Sequence, residues 1–383
     1  MWLFRLILNS DKESWIKMVR IKVKTFLEKY DKYDGIICFG SGKIFRNILS
    51  VIDEDMQKRI IGVVDNDASK HGQTITIGEK EIHINSLSEF MLEDLKNKLL
   101  IITPVKSDDI VKQLNEIKEF DNLEYIWGSA IYETYLDEKA KLVEVPSNLK
   151  TTTEKYIPKI IHYCWFGGNP LPKEFQKYID SWKKYCPDYE IIEWNESNYD
   201  IEKNLFMKQA YEHKKWAFVS DVARLDVIYN YGGLYMDSDV EVLSNLDDFL
   251  YNNCFFGFEL PTSCTSLFGA EKNNVFIKKL LDYYDKRAFV DENGVYDMTT
   301  NAKIWFDFLE RAGFKANGEY QHKNGITLYP EKVLSGKSLC TLQVSTTENT
   351  KAIHHFAGSW IDDKFEDENI YNIWKKSMQW EYD

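Results

Sequence analysis

The stretch from Ser220 to Glu241, SDVARLDVIYNYGGLYMDSDVE, constrains this chain more than any other. Ala223, Leu225, Val227 and Ile228 give the apolar packing faces of a helix. Gly232 and Gly233 end it, with Gly232 suited to the C-cap. Leu234-Tyr235-Met236 then reads as a short strand, closed by Asp237 and Asp239. Side chains alternate faces in an extended chain, so these two carboxylates are expected to point the same way. Such neighbours repel unless a cation sits between them. Hard oxygen ligands at a strand end suit Mg²⁺ or Mn²⁺, and an ion held by few protein groups keeps positions open for a diphosphate.

The 383 residues are long for one core, which predicts two domains. A net charge of −13 lacks the basic footprint of a nucleic-acid binder. The six cysteines, Cys38, Cys164, Cys186, Cys254, Cys264 and Cys340, are scattered without a CxxC pair and read as reduced thiols of a cytoplasmic protein. The opening MWLFRLILNS is apolar but short of the about 20 residues a spanning helix needs. It is expected to dock as a helix or strand, with at most peripheral membrane contact, placing the protein in the cytoplasm or at the inner membrane surface.

The first part alternates strands and helices, as in a parallel sheet with crossover helices. GIICF at 35–39 precedes Gly40-Ser41-Gly42 and the helical KIFRNILSVI. RIIGVVDND ends in Asp65 and Asp67, KLLIITPV is a further strand, a helix is expected over 108–117, and a short strand at 123–127. Gly40, Gly42 and Asp65 form a candidate ligand site, since the turn would offer a helix N-terminus to phosphate and Asp65 would reach a ribose. Phe45 stands where GxGxxG needs its third glycine, so the glycines equally suit a tight turn alone. This part resembles the Rossmann-like N-terminal modules of bacterial sugar-modifying enzymes. Residues 1–136 are read as this domain, the polar segment 137–157 with Pro146 as a linker, and 158–383 as the second domain.

That second domain opens with the strand IHYCWFGG. Its carboxyl end carries Trp165, able to stack on a nucleobase or to fill a core, and Gly167, where backbone can approach a ligand. Asp221 and Arg224 share a helix face at i, i+3. They form either a surface ion pair of little worth or a pair for sugar hydroxyls and phosphate, for which the planar guanidinium is well shaped.

IHYCWFGG followed by SDVARLDVIYNYGGLYMDSDVE resembles glycosyltransferase family 32, which includes capsular-polysaccharide sugar transferases, and the catalytic domains of the large clostridial glucosylating toxins. The resemblance spans residues 156–362, with Ile228 at a position where the family carries leucine. It implies a GT-A-type α/β nucleotide-sugar transferase domain behind the small Rossmann-like α/β domain. Trp165 then matches the ring that stacks on uracil, Asp221 and Arg224 the pair at the donor sugar, and Asp237 and Asp239 the holders of ribose and metal. Gly167 and Tyr235 belong with the donor. In His354-His355-Phe356-Ala357-Gly358-Ser359-Trp360, Ser359 and Trp360 match residues that reach the diphosphate. The HxxG spacing of His355 matches a metal-ligating histidine, and imidazole suits Mn²⁺ better than Mg²⁺.

The expected function is metal-dependent, retaining transfer of a sugar from a nucleotide sugar, UDP-linked in this reading, to a glycan of a capsule or cell surface, with a lipid-linked acceptor as one form. A nucleotide-sugar-binding regulator without transfer and a toxin-like protein glycosyltransferase are the alternatives.

Overall fold

The computed structural model describes residues 18–90, 95–104, 107–260, 262–339 and 342–357. The opening MWLFRLILNS, Cys340, Ser359 and Trp360 lie outside them. The chain divides into two compact units between Glu138 and Lys139.

In the first unit the strands are β1 (Val19–Arg20), β2 (Gly35–Phe39), β3 (Ile60–Val64), β4 (Thr74–Ile77), β5 (Lys80–Asn85), β6 (Lys98–Ile102) and β7 (Glu124–Trp127). They lie in the order β1-β7-β6-β2-β3-β5-β4. Every pairing is parallel except the β4–β5 hairpin. The helices are α1 (Val23–Lys29), α2 (Lys43–Val51), α3 (Glu54–Arg59), α4 (Leu87–Phe90), α5 (Ser107–Asn115) and α6 (Gly128–Leu142). All five residues of β2 are buried. Period-two alternation sends Ile36 and Cys38 into one core with Phe45 and Ile48. Ile37 and Phe39 enter another, with Leu114 and Phe120. A continuous apolar run is what a strand covered on both faces requires.

The second unit has β8 (Ile160–Cys164), α7 (Lys173–Tyr185), β9 (Glu190–Trp194), α8 (Leu205–Glu212), α9 (Trp216–Tyr231), β10 (Gly233–Met236) and β11 (Val240–Val242). Then follow β12 (Cys254–Glu259), β13 (Thr262–Ser263), β14 (Leu267–Ala270), α10 (Val275–Tyr284) and α11 (Asn301–Arg311). Last come β15 (Gln321–Lys323), β16 (Ile326–Tyr329), α12 (Glu331–Leu334) and β17 (Ala352–His354). The main sheet runs β15-β16-β12-β14-β10-β8-β9, β13 pairs β12, and β11 pairs β17 separately. Strands β9, β8 and β10 are mutually parallel, and β14 runs against β10. This is the mixed α/β architecture expected of a GT-A-type domain.

The stretch read as a linker contributes to this unit. Leu149 and Ile157 enter its core, and the backbone N–H groups of Thr151 and Thr152 donate to the Tyr251 carbonyl. Among the described residues Cys38, Cys164, Cys186, Cys254 and Cys264 are free thiols, and no helix is long and apolar enough to cross a membrane.

Candidate active site

Register brings the carboxyl ends of three parallel strands to one edge. Ile161 pairs with Leu234, His162 with Tyr235, and Cys164 with Trp194. The segments leaving Cys164, Trp194 and Met236 therefore emerge side by side, where an α/β sheet gathers its ligands. The Gly-Gly break sets this register. Gly232 caps α9 at φ +69°, and its N–H donates to the Ile228 carbonyl. Gly233, at φ +111°, has no room for a side chain, because a Cβ would stand 2.7 Å from the Ile160 carbonyl oxygen. His162, fully buried, locks the junction: its Nε2 donates to the Gly232 carbonyl (2.9 Å), and Trp194 Nε1 donates to its Nδ1 (3.0 Å).

Asp237 and Asp239 do converge, but by a tight turn. Strand β10 stops at Met236, and the Val240 N–H donates back to the Asp237 carbonyl at 3.0 Å. The expectation of extended alternation fails here, because that hydrogen bond closes Asp237-Ser238-Asp239 into a turn. The third member is His354, and one ligand atom from each of Asp237, Asp239 and His354 lies within 4.8 Å of the others. His354 Nε2 stands 3.4 Å from Asp239 Oδ2, and its Nδ1 contacts Glu259 Oε1 at 2.7 Å. A carboxylate behind a ligating imidazole is the usual support for a metal-bound histidine, and the set of two carboxylates and one imidazole fits a divalent ion.

His355 points elsewhere. Its ring stacks on Tyr178 at 4.3 Å, and its Nε2 contacts Glu241 at 2.9 Å. The HxxG spacing thus selected the neighbour of the histidine that the structure places beside the aspartates, because successive residues leaving β17 face opposite sides.

Electrostatics ties the cluster together. Burial works against the Asp239 carboxylate, yet His354 and the Ala357 N–H (2.8 Å) hold its pKa at about 2. Burial likewise opposes charge on His354, but Glu259 and Asp239 raise its pKa well above the ordinary value. Burial, and then Asp239, push the Asp237 pKa up, against the pull of Arg224.

Asp221 and Arg224 are not a surface pair: they are 7% and 4% exposed. Arg224 donates from Nη1 to the Thr265 carbonyl (2.8 Å) and to Asp237 Oδ2 (3.3 Å), and from Nε to the Ser220 carbonyl (3.1 Å). Its Nη2 lies 3.4 Å from Asp221, and its guanidinium stands 4.6 Å over the Tyr235 ring. Tyr235 is buried and donates to Asp237 Oδ1 at 2.9 Å. Burial raises the Asp221 pKa to about 7, although Arg224 opposes the shift.

Trp165 is half-buried, edge-on to Phe175 at 5.8 Å, with Nε1 donating to the Asn169 carbonyl at 2.6 Å. Gly167 sits at φ +97°, and its N–H donates to Glu196 Oε1 at 2.6 Å. A Cβ on Gly167 would meet the Trp216 indole at 2.7 Å. The sequence leaves open which of His354 and His355 stands with the aspartates, and it does not single out Glu259 or Glu196. Glu259 ends β12 and Glu196 lies in the turn after β9, with no motif around either.

In the first unit Asp65 meets the glycine turn at Ser41, between Gly40 and Gly42. Gly40 takes φ +101° against Thr103 and Pro104. Asp65 Oδ2 accepts from the Ser41 N–H (2.8 Å), the Ser41 hydroxyl (2.6 Å) and Lys70 Nζ (3.0 Å). Burial opposes the charge, but these bonds and the Asp67 N–H hold its pKa at about 2. The carboxylate therefore occupies the N–H that a phosphate would take, and Phe45 fills the core where a third glycine would stand.

Residues 172–256 match the family model described as the glycosyltransferase sugar-binding region containing DXD motif. Over 166 residues the chain is 29% identical to an uncharacterized glycosyltransferase of Acanthamoeba polyphaga mimivirus, covering 40% of this chain and 64% of that protein. Over 174 residues it is 24% identical to inositol phosphoceramide mannosyltransferase 3 of Schizosaccharomyces pombe, covering 43% and 49%. The matched stretch spans about half to two thirds of these relatives' length. Among solved structures, a likeness to the PaToxG glycosyltransferase has TM-score 0.33 and 19% identity, over 48% of this chain and 77% of that one. Asp221, Arg224, Asp237 and Asp239 all lie inside the stretch that matches this sugar-binding region.

Proposed function

We propose that the chain is a metal-dependent, retaining glycosyltransferase that moves a sugar from a nucleotide sugar, UDP-linked in the first instance, to a surface or capsular glycan. The observation that carries this reading is the convergence of Asp237, Asp239 and His354 at a sheet edge, with Arg224 buried against Asp237. Those three side chains would hold Mn²⁺ or Mg²⁺. When bound, the ion supplies Lewis-acid stabilisation of the charge that builds on the leaving diphosphate.

The protein's own groups divide the remaining work. Trp165 would stack the base, Gly167 let backbone approach it, and Asp221 and Arg224 orient the sugar. Tyr235 fixes Asp237, while Ser359 and Trp360 would reach the diphosphate. Retention would follow from a front-face exchange. The bond from the anomeric carbon to the diphosphate oxygen breaks, the bond to the acceptor oxygen forms on the same face, and the acceptor proton passes to the leaving phosphate. No carboxylate nucleophile is needed, and trapping a sugar ester on a side chain would overturn this route.

The relatives named as inositol phosphoceramide mannosyltransferases add mannose to the donors worth testing and a lipid-borne inositol to the acceptors. A cytoplasmic site of action, at the inner membrane surface, suits a lipid-linked acceptor. The test is a melting-temperature and hydrolysis screen of UDP- and GDP-sugars with and without Mn²⁺. One or more donors should stabilise the protein and be slowly hydrolysed only with metal. If none does either, the reading fails.

A further inference from the structure

Two buried hydrogen-bond donors near Asp221 have no hydrogen-bond partner among the described residues. One is the hydroxyl of Tyr284, the last residue of α10, in a side chain that is 1% exposed. The other is Nη1 of Arg287, three residues further on. The segment is packed on the helix that carries Asp221, since the Phe289 ring lies 5.2 Å from that of Phe218, and Arg287 and the Tyr284 hydroxyl are both within electrostatic reach of the Asp221 carboxylate. Asn301, at the start of α11 and 8% exposed, lies beside the same carboxylate, and its amide nitrogen makes no hydrogen bond among the described residues.

Arg287 is held rigidly. Its Nε donates to Asp297 Oδ2 at 3.0 Å, and its Nη2 bonds the same oxygen. Three rings surround the guanidinium, those of Phe206 at 4.9 Å, Tyr283 at 5.1 Å and Tyr284 at 5.3 Å. The segment that carries it is tied back to α8, because the Phe289 N–H donates to Gln209 Oε1 at 2.9 Å. The direction of the free N–H is therefore fixed by packing, whereas buried polar groups that serve the fold alone are almost always paired.

The chemistry these groups complete is that of a polyol. An ionised Asp221 only accepts, so each sugar hydroxyl that donates to it still has lone pairs to satisfy in a water-free pocket. A tyrosine hydroxyl and a guanidinium N–H supply the missing donors. We propose that Tyr284 and Arg287 form a second wall of the sugar pocket, binding the oxygens of the hydroxyls that Asp221 receives and so setting which donor sugar is accepted. A buried site built to bond a given hydroxyl discriminates far more sharply than an apolar one. This rests on the donor-site reading above.

The test uses the full chain with Mn²⁺, measuring affinity for UDP and, in parallel, for UDP-glucose, UDP-galactose and UDP-N-acetylglucosamine. Tyr284→Phe removes only a hydroxyl without a protein partner, so the ligand-free melting temperature should hold or rise. UDP affinity should stay within about twofold of wild type, while affinity for the preferred UDP-sugar falls about five- to twentyfold, the scale of one lost hydrogen bond. Arg287→Lys, which keeps the charge but not the fork, should repeat the sugar-specific loss and alter the ranking of the three donors. Unchanged UDP-sugar affinity in Tyr284→Phe would mean the hydroxyl faces only buried water, and the proposal falls. Equal loss for UDP and UDP-sugar would mark a structural effect, and it falls again. If wild type binds UDP but none of the three sugars more tightly than UDP, the sugar wall is absent. If wild type binds none of the four, nor GDP or GDP-mannose run beside them, the donor-site reading fails and takes the wall with it.

Discussion

Acidification from pH 8 to pH 5 should loosen the second unit at the junction beneath Asp237, through His162. The imidazole there is confined to one state. The Gly232 carbonyl only accepts, so Nε2 must carry the proton, and the Trp194 indole only donates, so Nδ1 must be bare. Burial lowers the pKa from 6.5 to about 4, although the Gly232 bond opposes the shift. At 1.36 kcal/mol per pH unit, that gap is worth about 3 kcal/mol. The folded pKa lies below the unfolded one, so this stability is complete above pH 6.5 and drains away as pH falls toward 4. By pH 5 about 2 kcal/mol should be gone. Urea unfolding of wild type and His162→Gln at both pH values, followed by tryptophan fluorescence, isolates the effect. Carboxylates that titrate in the same window cancel in the difference. His162→Gln should start less stable at pH 8 and lose about 2 kcal/mol less than wild type on going to pH 5. Equal losses in the two proteins would refute the argument that a neutral, desolvated imidazole holds this junction.

Asp237→Asn and Asp239→Asn should each remove most turnover with the chain still folded, Asp239→Asn lowering the melting temperature because it takes a carboxylate from His354; near-normal UDP release from a UDP-sugar in Mn²⁺ by either variant would dismiss the site. His354→Ala should shift the Mn²⁺ dependence of turnover to higher concentration by about ten- to a hundredfold, whereas His355→Ala should leave it in place; a reversed pattern would reinstate His355 as the ligand. Trp165→Ala should raise the donor KM with little change in kcat, as expected for a term that binds ground and transition states alike, and a collapse of kcat alone would assign it another role.

The strands and helices were legible because their burial is periodic. GIICF and KLLII read as two-face-buried strands and became β2 and β6 at the centre of a parallel sheet. The helix read around 218–230 and its glycine stop were equally plain, and the structure has it over Trp216–Tyr231 with Gly232 where φ must be positive. The linker reading drew on composition, which registers polarity but not the threonine hydroxyls that bond the Tyr251 carbonyl. The Asp65 reading likewise identified the meeting of strand end and glycine turn, but not that the carboxylate would take the turn's N–H for itself.

The histidine shows where sequence reasoning stops. His354 and His355 are adjacent and chemically identical. What separates them is the ladder between β11 and β17, in which Val240 faces His354 and Glu241 faces Ile353. Cross-strand partners share a face, and the next residue along moves to the other one. Glu241, opposite Ile353, is thus the diagonal neighbour of His355 and captures it. His354 is left on the face where Glu259 ends β12 and Asp239 closes its turn. A motif spacing counts residues along one strand, whereas which imidazole meets the aspartates depends on pairing between two strands about a hundred residues apart. That pairing is also why Glu259 belongs to the site: it fixes the imidazole from behind, and nothing in its local sequence announces it.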